Sequence, residues 1–149
     1  MTLYLLDVNV LQELKPGGNA QVWTWRRTVR DDQLRLSAFT LFEVRRGWQR
    51  QRRKLAANGD DTGPVDAKLA EIARLEAAYR GRIIAIDETI VAEWTVLLGE
   101  KDKNQLDAAL AATARVHDLV VVTRNVKDFK GRGVKVLDPF KAGSKVVEV

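Results

Sequence analysis

Short apolar runs alternate along this chain with stretches of helical spacing, and no two-residue hairpin turn separates any two of the runs. The runs are Leu3–Leu6, Leu34–Leu36, Arg82–Ile86, Leu119–Thr123 and Val134–Leu137. Strands joined through helices must run mainly parallel, because a parallel pair needs a long crossover. The pattern therefore predicts an α/β sandwich with a central, mainly parallel sheet. The run Leu-Val-Val-Val-Thr at 119–123 reads as a strand covered on both faces. Helices are expected over Val8–Leu14, from Asn19 to about Arg30, from Ser37 or Thr40 to about Ala57, from Pro64 to Gly81, from Asp87 to Gly99 and over Asn104–His117, with a polar connector at Glu100–Asn104. One domain is expected to span residues 1–140, with 141–149 as a loose tail.

The residue inventory removes whole classes of chemistry. The 149 residues include no cysteine, one histidine (His117) and two serines, Ser37 and Ser144. Disulfides, thiolate zinc sites and cysteine nucleophiles are excluded, and a serine triad or multi-histidine zinc site has almost nothing to be built from. No Gly-rich nucleotide-binding loop is present. No apolar run approaches the ~20 residues of a membrane span, and the N-terminus lacks the pattern of a signal peptide. A cytoplasmic, membrane-free protein is the expectation. Chemistry is left to carboxylates, and the net charge of +5 suits a polyanionic partner.

In an open parallel sheet, functional groups collect beyond the carboxyl ends of the strands. Asp7 ends the first strand, where it could equally cap a helix. Glu43 is placed in the first turn of the helix after strand two, and Thr40-x-x-Glu43 also fits a capping box. Asp107 opens the Ala-rich helix, where the dipole alone would favour an acid. Asn125 follows the valine strand and Asp128 comes a turn later, where turn chemistry would explain both. Each residue has an ordinary structural reading. Together they gather acids and an amide at one rim, where like charges need a cation. Hard oxygen ligands suit Mg²⁺ or Mn²⁺, which can activate a water and steady a phosphodiester.

The run Arg45–Lys54 holds six cations and no acid, and helical spacing puts Arg46, Arg50 and Arg53 on one face. It reads as a phosphate contact or as a face for an acidic protein. Trp25, Trp48 and Trp94 fall at core-like positions. His117, at a helix end, is expected to have no catalytic part. The helices Asn19–Arg30 and Pro64–Arg80 carry more apolar surface than a sheet cover needs, which suggests contact with another chain.

Four blocks appear in order: Leu5-Leu6-Asp7-Val8-Asn9-Val10-Leu11, Leu36–Gly47 with its Thr-Leu-Phe-Glu core, Asp107-Ala-Ala-Leu-Ala-Ala-Thr-Ala114, and Val122-Thr-Arg-Asn-Val-Lys-Asp-Phe129. From Leu3 to Phe140 the chain resembles the PIN-domain ribonucleases, in particular the VapC/FitB-like toxins of toxin–antitoxin pairs. The resemblance implies a PIN-like α/β/α sandwich and Mg²⁺- or Mn²⁺-dependent endonucleolytic cleavage of RNA. It puts Asp7, Glu43 and Asp107 in the three acidic places, as metal ligands, and Asn125 in the fourth, with Asp128 as the other candidate. It implies a homodimer held inactive by an antitoxin. Val8 departs from the family, which commonly has Thr or Ser there, so a hydroxyl that could steady the site is missing from that position. A haloacid-dehalogenase-type phosphatase would need an acid where Asn9 stands, and a phosphoacceptor receiver domain fits poorly. The non-enzymatic alternative is a basic RNA-binding or scaffolding domain of the same fold.

Overall fold

The structure, a computed structural model, describes residues 1–100 and 104–149. The connector predicted at Glu100–Asn104 falls largely outside the described residues. In chain order the elements are β1 (Tyr4–Leu6), α1 (Val8–Leu11), α2 (Ala20–Arg26), β2 (Leu34–Ser37), α3 (Ala38–Ala57), α4 (Gly63–Ala78), β3 (Ile83–Ile84), α5 (Glu88–Leu97), α6 (Gln105–His117), β4 (Val120–Val122), β5 (Lys135–Leu137) and β6 (Val147–Glu148). Single 3₁₀ turns cover Asp31–Gln33 and Val126–Phe129.

The sheet order is β3-β2-β1-β4-β5-β6. Every pairing is parallel except β5 with β6. The chain thus builds outward from β1 through β2 to β3, then returns to lay β4 on the other side of β1. Strand order reverses between β1 and β4, and such a reversal opens a crevice at the carboxyl ends of the two strands.

Side chains alternate across the sheet with period two. Leu5, Val121 and Val136 enter one core with Leu110, Ala111 and Ala114 of α6. Leu6, Leu36, Val120, Val122 and Leu137 enter the opposite core with Val10, Val22 and Tyr79. A third cluster joins Phe39 of α3 to Ile90 of α5 and Ala109 and Ala112 of α6. The alanines let α6 lie close to its neighbours: residues 108–114 are all buried. These layers bear out the expected sandwich.

Several expectations need correction. The tail after Phe140 is not loose. It returns as β6, pairing Val147 with Val136, and the Val149 N–H reaches the Val134 carbonyl at 2.9 Å. An unpaired edge of β5 is thereby covered. Helix α2 stops at Arg26, after which the backbone tightens: the Thr28 N–H reaches the Trp25 carbonyl at 2.8 Å and the Val29 N–H the Arg26 carbonyl at 3.4 Å. Ser37, not Thr40, caps α3, accepting the Phe39 N–H at 3.0 Å. Glu43 consequently lies in the second turn and belongs to no capping box. Thr40 is buried, and its Oγ1 has no partner among the described residues. The spare apolar surface expected on α2 and α4 is also misplaced. The exposed large apolar side chains are Phe42 of α3, Ile86 in the β3–α5 connection, Val91 and Val96 of α5, and Val146 and Val147 near the C-terminus, together with Met1.

Candidate active site

Asp7 follows β1 directly, and its N–H still pairs with the Val122 carbonyl at 3.0 Å, which locks it to the end of β4. Its side chain is buried. One carboxylate oxygen, Oδ1, accepts the Val8 N–H at 2.7 Å, so the residue does cap α1. The other, Oδ2, accepts the Thr123 hydroxyl at 2.7 Å and the Asn9 amide at 3.2 Å. The cap and the site are one geometry, and the two readings of Asp7 do not compete.

Thr123 and Asn9, which the sequence reading did not single out as site residues, are the side chains that hold Asp7. While donating its hydrogen bond to Asp7, the Thr123 hydroxyl oxygen accepts the Asn125 N–H at 3.0 Å and the Asn9 amide at 3.3 Å. Asn9 Oδ1 in turn accepts the Arg124 N–H at 3.0 Å. The signal was available: Thr123 is the one polar residue closing a valine run, and Asn9 stands two positions after Asp7. Position 8 offers no hydroxyl to Asp7; the one that meets it is that of Thr123, directly after β4.

Around Asp7 the structure assembles three further carboxylates that feel one another's charge. Asp107, half-buried as the third residue of α6, is raised from 3.8 to about 6. Burial is the main cause, followed by repulsion from Asp7, Asp128 and Glu43, with Arg132 acting in opposition. A helix N-terminus by itself would lower this group; crowding and desolvation overcome it. Glu43 is raised by partial burial and then by Asp7. Burial likewise pushes Asp7 up against its three hydrogen bonds, and Asp128 adds to the push.

Asp128 lies in the 3₁₀ turn, and its charge reaches both Asp7 and Asp107. Asn125 is anchored by its backbone, while its side chain is exposed and makes no cap bond. Among the described residues no three acidic or histidine side chains already close on a common point as a ready-made ion cage. The donor set nonetheless consists of hard oxygens whose mutual repulsion a divalent cation would relieve, which fits Mg²⁺ or Mn²⁺.

The basic run divides. Arg45 pairs with Glu76 of α4 at 2.7 Å and Arg52 with Asp66 at 2.8 Å, so these two brace α3 on α4. Arg46, Arg50 and Arg53 are exposed and have no ion-pair partner among the described residues. A groove of about 390 Å³ runs between α1 and α3 beside the acids, lined by Val8, Gln12, Glu43, Val44, Gly47, Trp48 and Gln51. Trp48 is therefore a groove wall and not a core residue, contrary to expectation.

A family model described as PIN domain matches residues 4–133. The chain is a PIN-domain protein. Toxin FitB of Neisseria gonorrhoeae is 30% identical over 144 residues, covering 93% of this chain and 99% of the relative. A VapC ribonuclease, Y4jK of Sinorhizobium fredii, is 27% identical over 153 residues, covering 93% and 99%. Among solved structures, FitAB bound to an IR36 DNA fragment superimposes with a TM-score of 0.75 at 27% identity, covering 93% of this chain and 96% of that one. A toxin–antitoxin complex from Klebsiella pneumoniae gives 0.60 at 25%, covering 93% and 98%. This PIN-domain protein is thus related to the FitB and VapC toxins of toxin–antitoxin systems. Among its described residues, no helix is long and apolar enough to cross a membrane.

Proposed function

We propose that this PIN-domain protein is a divalent-metal-dependent endoribonuclease and the toxin of a toxin–antitoxin pair. The observation that carries the reading is the crowding of Asp7, Glu43, Asp107 and Asp128 at the β1/β4 reversal, with Asp107 held up at about 6. Asp7 and Asp107 would hold Mg²⁺ or Mn²⁺, with Glu43 completing the set. When bound, the ion supplies acidification of a water and neutralisation of phosphate charge.

The chain's own residues do the rest. The Thr123 hydroxyl and the Asn9 amide hold Asp7 in one rotamer. Glu43, open to solvent on one side, is placed to orient the attacking water and accept its proton. Asp128 adds the fourth negative charge, and Asn125 offers a neutral oxygen at the same rim. Arg46, Arg50 and Arg53 contact phosphates of the approaching strand.

The antitoxin partner is inferred from the relatives, one of which was solved in a toxin–antitoxin complex. A homodimer is inferred as well, with the exposed Ile86, Val91 and Val96 as the surface a second copy would cover. The test is incubation of the purified protein with total RNA in Mg²⁺ or Mn²⁺, with and without chelator. Cleavage that needs the ion and disappears in Asp7→Asn supports the reading. Cleavage unchanged by chelator, or by Asp7→Asn in a folded protein, refutes it. RNA binding without cleavage under any of these conditions would favour a scaffolding domain.

A further inference from the structure

Three of the four tryptophans have an evident structural task. Trp25 meets Tyr4 edge to face at 5.5 Å. Trp94 does the same with Phe39 at 4.9 Å and gives its indole N–H to the Gln105 carbonyl. The Trp23 indole N–H goes to the Lys15 carbonyl at 3.1 Å. Among the described residues the Trp48 side chain enters no aromatic pair, no core cluster and no hydrogen bond. It stands half-buried along the groove that begins at Glu43.

Its neighbour Gly47 is just as hard to explain by folding. It sits in the middle of a 20-residue helix, where glycine costs about 1 kcal/mol relative to alanine. Its backbone is not in the left-handed region. A Cβ added there would meet nothing within 4 Å. Neither conformation nor packing requires a glycine, and what its bare Cα preserves is open space in the groove. Across that space, Gln12 and Gln51 line the hollow with carboxamides that have no hydrogen-bond partner among the described residues. Each carries an acceptor and two donors.

An indole wall with two free carboxamides suits a flat heteroaromatic ring with a polar edge. At about 390 Å³ the hollow falls in the range of small-ligand sites and seats one such unit. A helical peptide would want a longer track of apolar anchors. Glu43 at one end and the unpaired Arg46 and Arg50 on the same helix supply what the attached phosphates need.

We propose that this groove is the seat of one unpaired RNA base next to the phosphate cut at the carboxylate cluster. The base stacks on Trp48, Gln12 and Gln51 read its edge, and Gly47 keeps the seat open. The proposal rests on the ribonuclease reading and adds to it the residues that set which bond is cut.

A stacking cycle tests it. Fluorescently labelled single-stranded RNA oligonucleotides, intact and with one abasic position at a time, are titrated in EDTA against wild type, Trp48→Leu, Trp48→Phe and Gly47→Leu. In wild type, one abasic position weakens binding by about 5- to 150-fold. In Trp48→Leu that penalty disappears, and in Trp48→Phe part of it returns. Gly47→Leu fills the seat and weakens intact RNA similarly while its melting temperature holds or rises, so the test survives even if Trp48→Leu folds poorly. Equal abasic penalties in wild type and Trp48→Leu overturn the proposal. So does normal RNA binding by both groove variants with loss of the protein encoded by the neighbouring reading frame, which would make the groove a peptide seat. Because binding is read without metal, failure of wild type to cut RNA in Mn²⁺ would sink the ribonuclease reading alone, and a flat abasic scan with cleavage intact would sink the seat alone.

Discussion

Replacing Asp107 with Asn should stabilise the metal-free protein, and the gain should depend on pH in a defined direction. In the folded chain Asp107 ionises near 6, against an ordinary value of 3.8. A carboxyl whose folded value is raised opposes folding once ionised. The penalty is full above about pH 6 and fades as pH falls toward 4. At 1.36 kcal/mol per pH unit, the gap between the two values sets an upper figure of about 3 kcal/mol. The group is half-open to water, so screening reduces the usable effect to about 1–2 kcal/mol. For a chain of this length that corresponds to roughly 3–8 °C in melting temperature. Thermal denaturation of wild type and Asp107→Asn in EDTA, stepped from pH 5 to pH 8, measures the difference directly. The variant should melt higher at pH 7–8, and the gap should narrow to about half by pH 5. Mn²⁺ should then raise wild type and leave the variant almost unmoved, because the charge that repels its neighbours is the charge the ion would bind. A variant that melts lower at pH 8, or by the same margin at every pH, would refute the account of a crowded, uncompensated cluster.

Thr123→Val should lower metal affinity by about 10- to 100-fold, as loss of a group that orients a ligand does, with isothermal titration of Mn²⁺ as the check; unchanged affinity would leave Thr123 a purely structural residue. Thr40→Val should be neutral or slightly stabilising, since it removes a buried hydroxyl with no partner. A fall in cleavage at constant melting temperature would instead show that this hydroxyl binds something. Replacing Arg46, Arg50 and Arg53 with Gln should flatten the salt dependence of RNA binding, whose log–log slope falls by about 0.7 for each single-strand phosphate the protein ceases to neutralise; an unchanged slope would hand this face of α3 to a protein partner. Truncation after Phe140 removes β6 and should lower the melting temperature by several degrees, whereas a dispensable tail would leave it unmoved.

The layered fold was legible because the valine strand and its neighbours must be covered on both faces, and because the crossovers have helical spacing. Positions of the acids along the chain were legible for the same reason: strand ends in a parallel sheet share a rim. Less visible were the partners across that rim. Asp7, Asn9 and Thr123 form one network, yet Thr123 is separated from Asp7 by 116 positions, and no local pattern joins them. Thr40-x-x-Glu43 misled because Ser37 competes for the same cap and begins the helix three residues earlier. The tail misled because β6 is two residues long and polar-rich around it, and its pairing with β5 is decided by a free sheet edge.

The place of β1 between β2 and β4 has a consequence for how the protein is made. Synthesis delivers β1, β2, β3 and Glu43 well before Asp107, Thr123 and Asp128 exist. A nascent chain can assemble one half of the sheet, but the opposite wall of the crevice is written in the last third of the sequence. A product that stops before Asp107 therefore carries only Asp7 and Glu43 of the four acids. The order of the elements alone thus delays the full set of four acids until translation has passed Asp128.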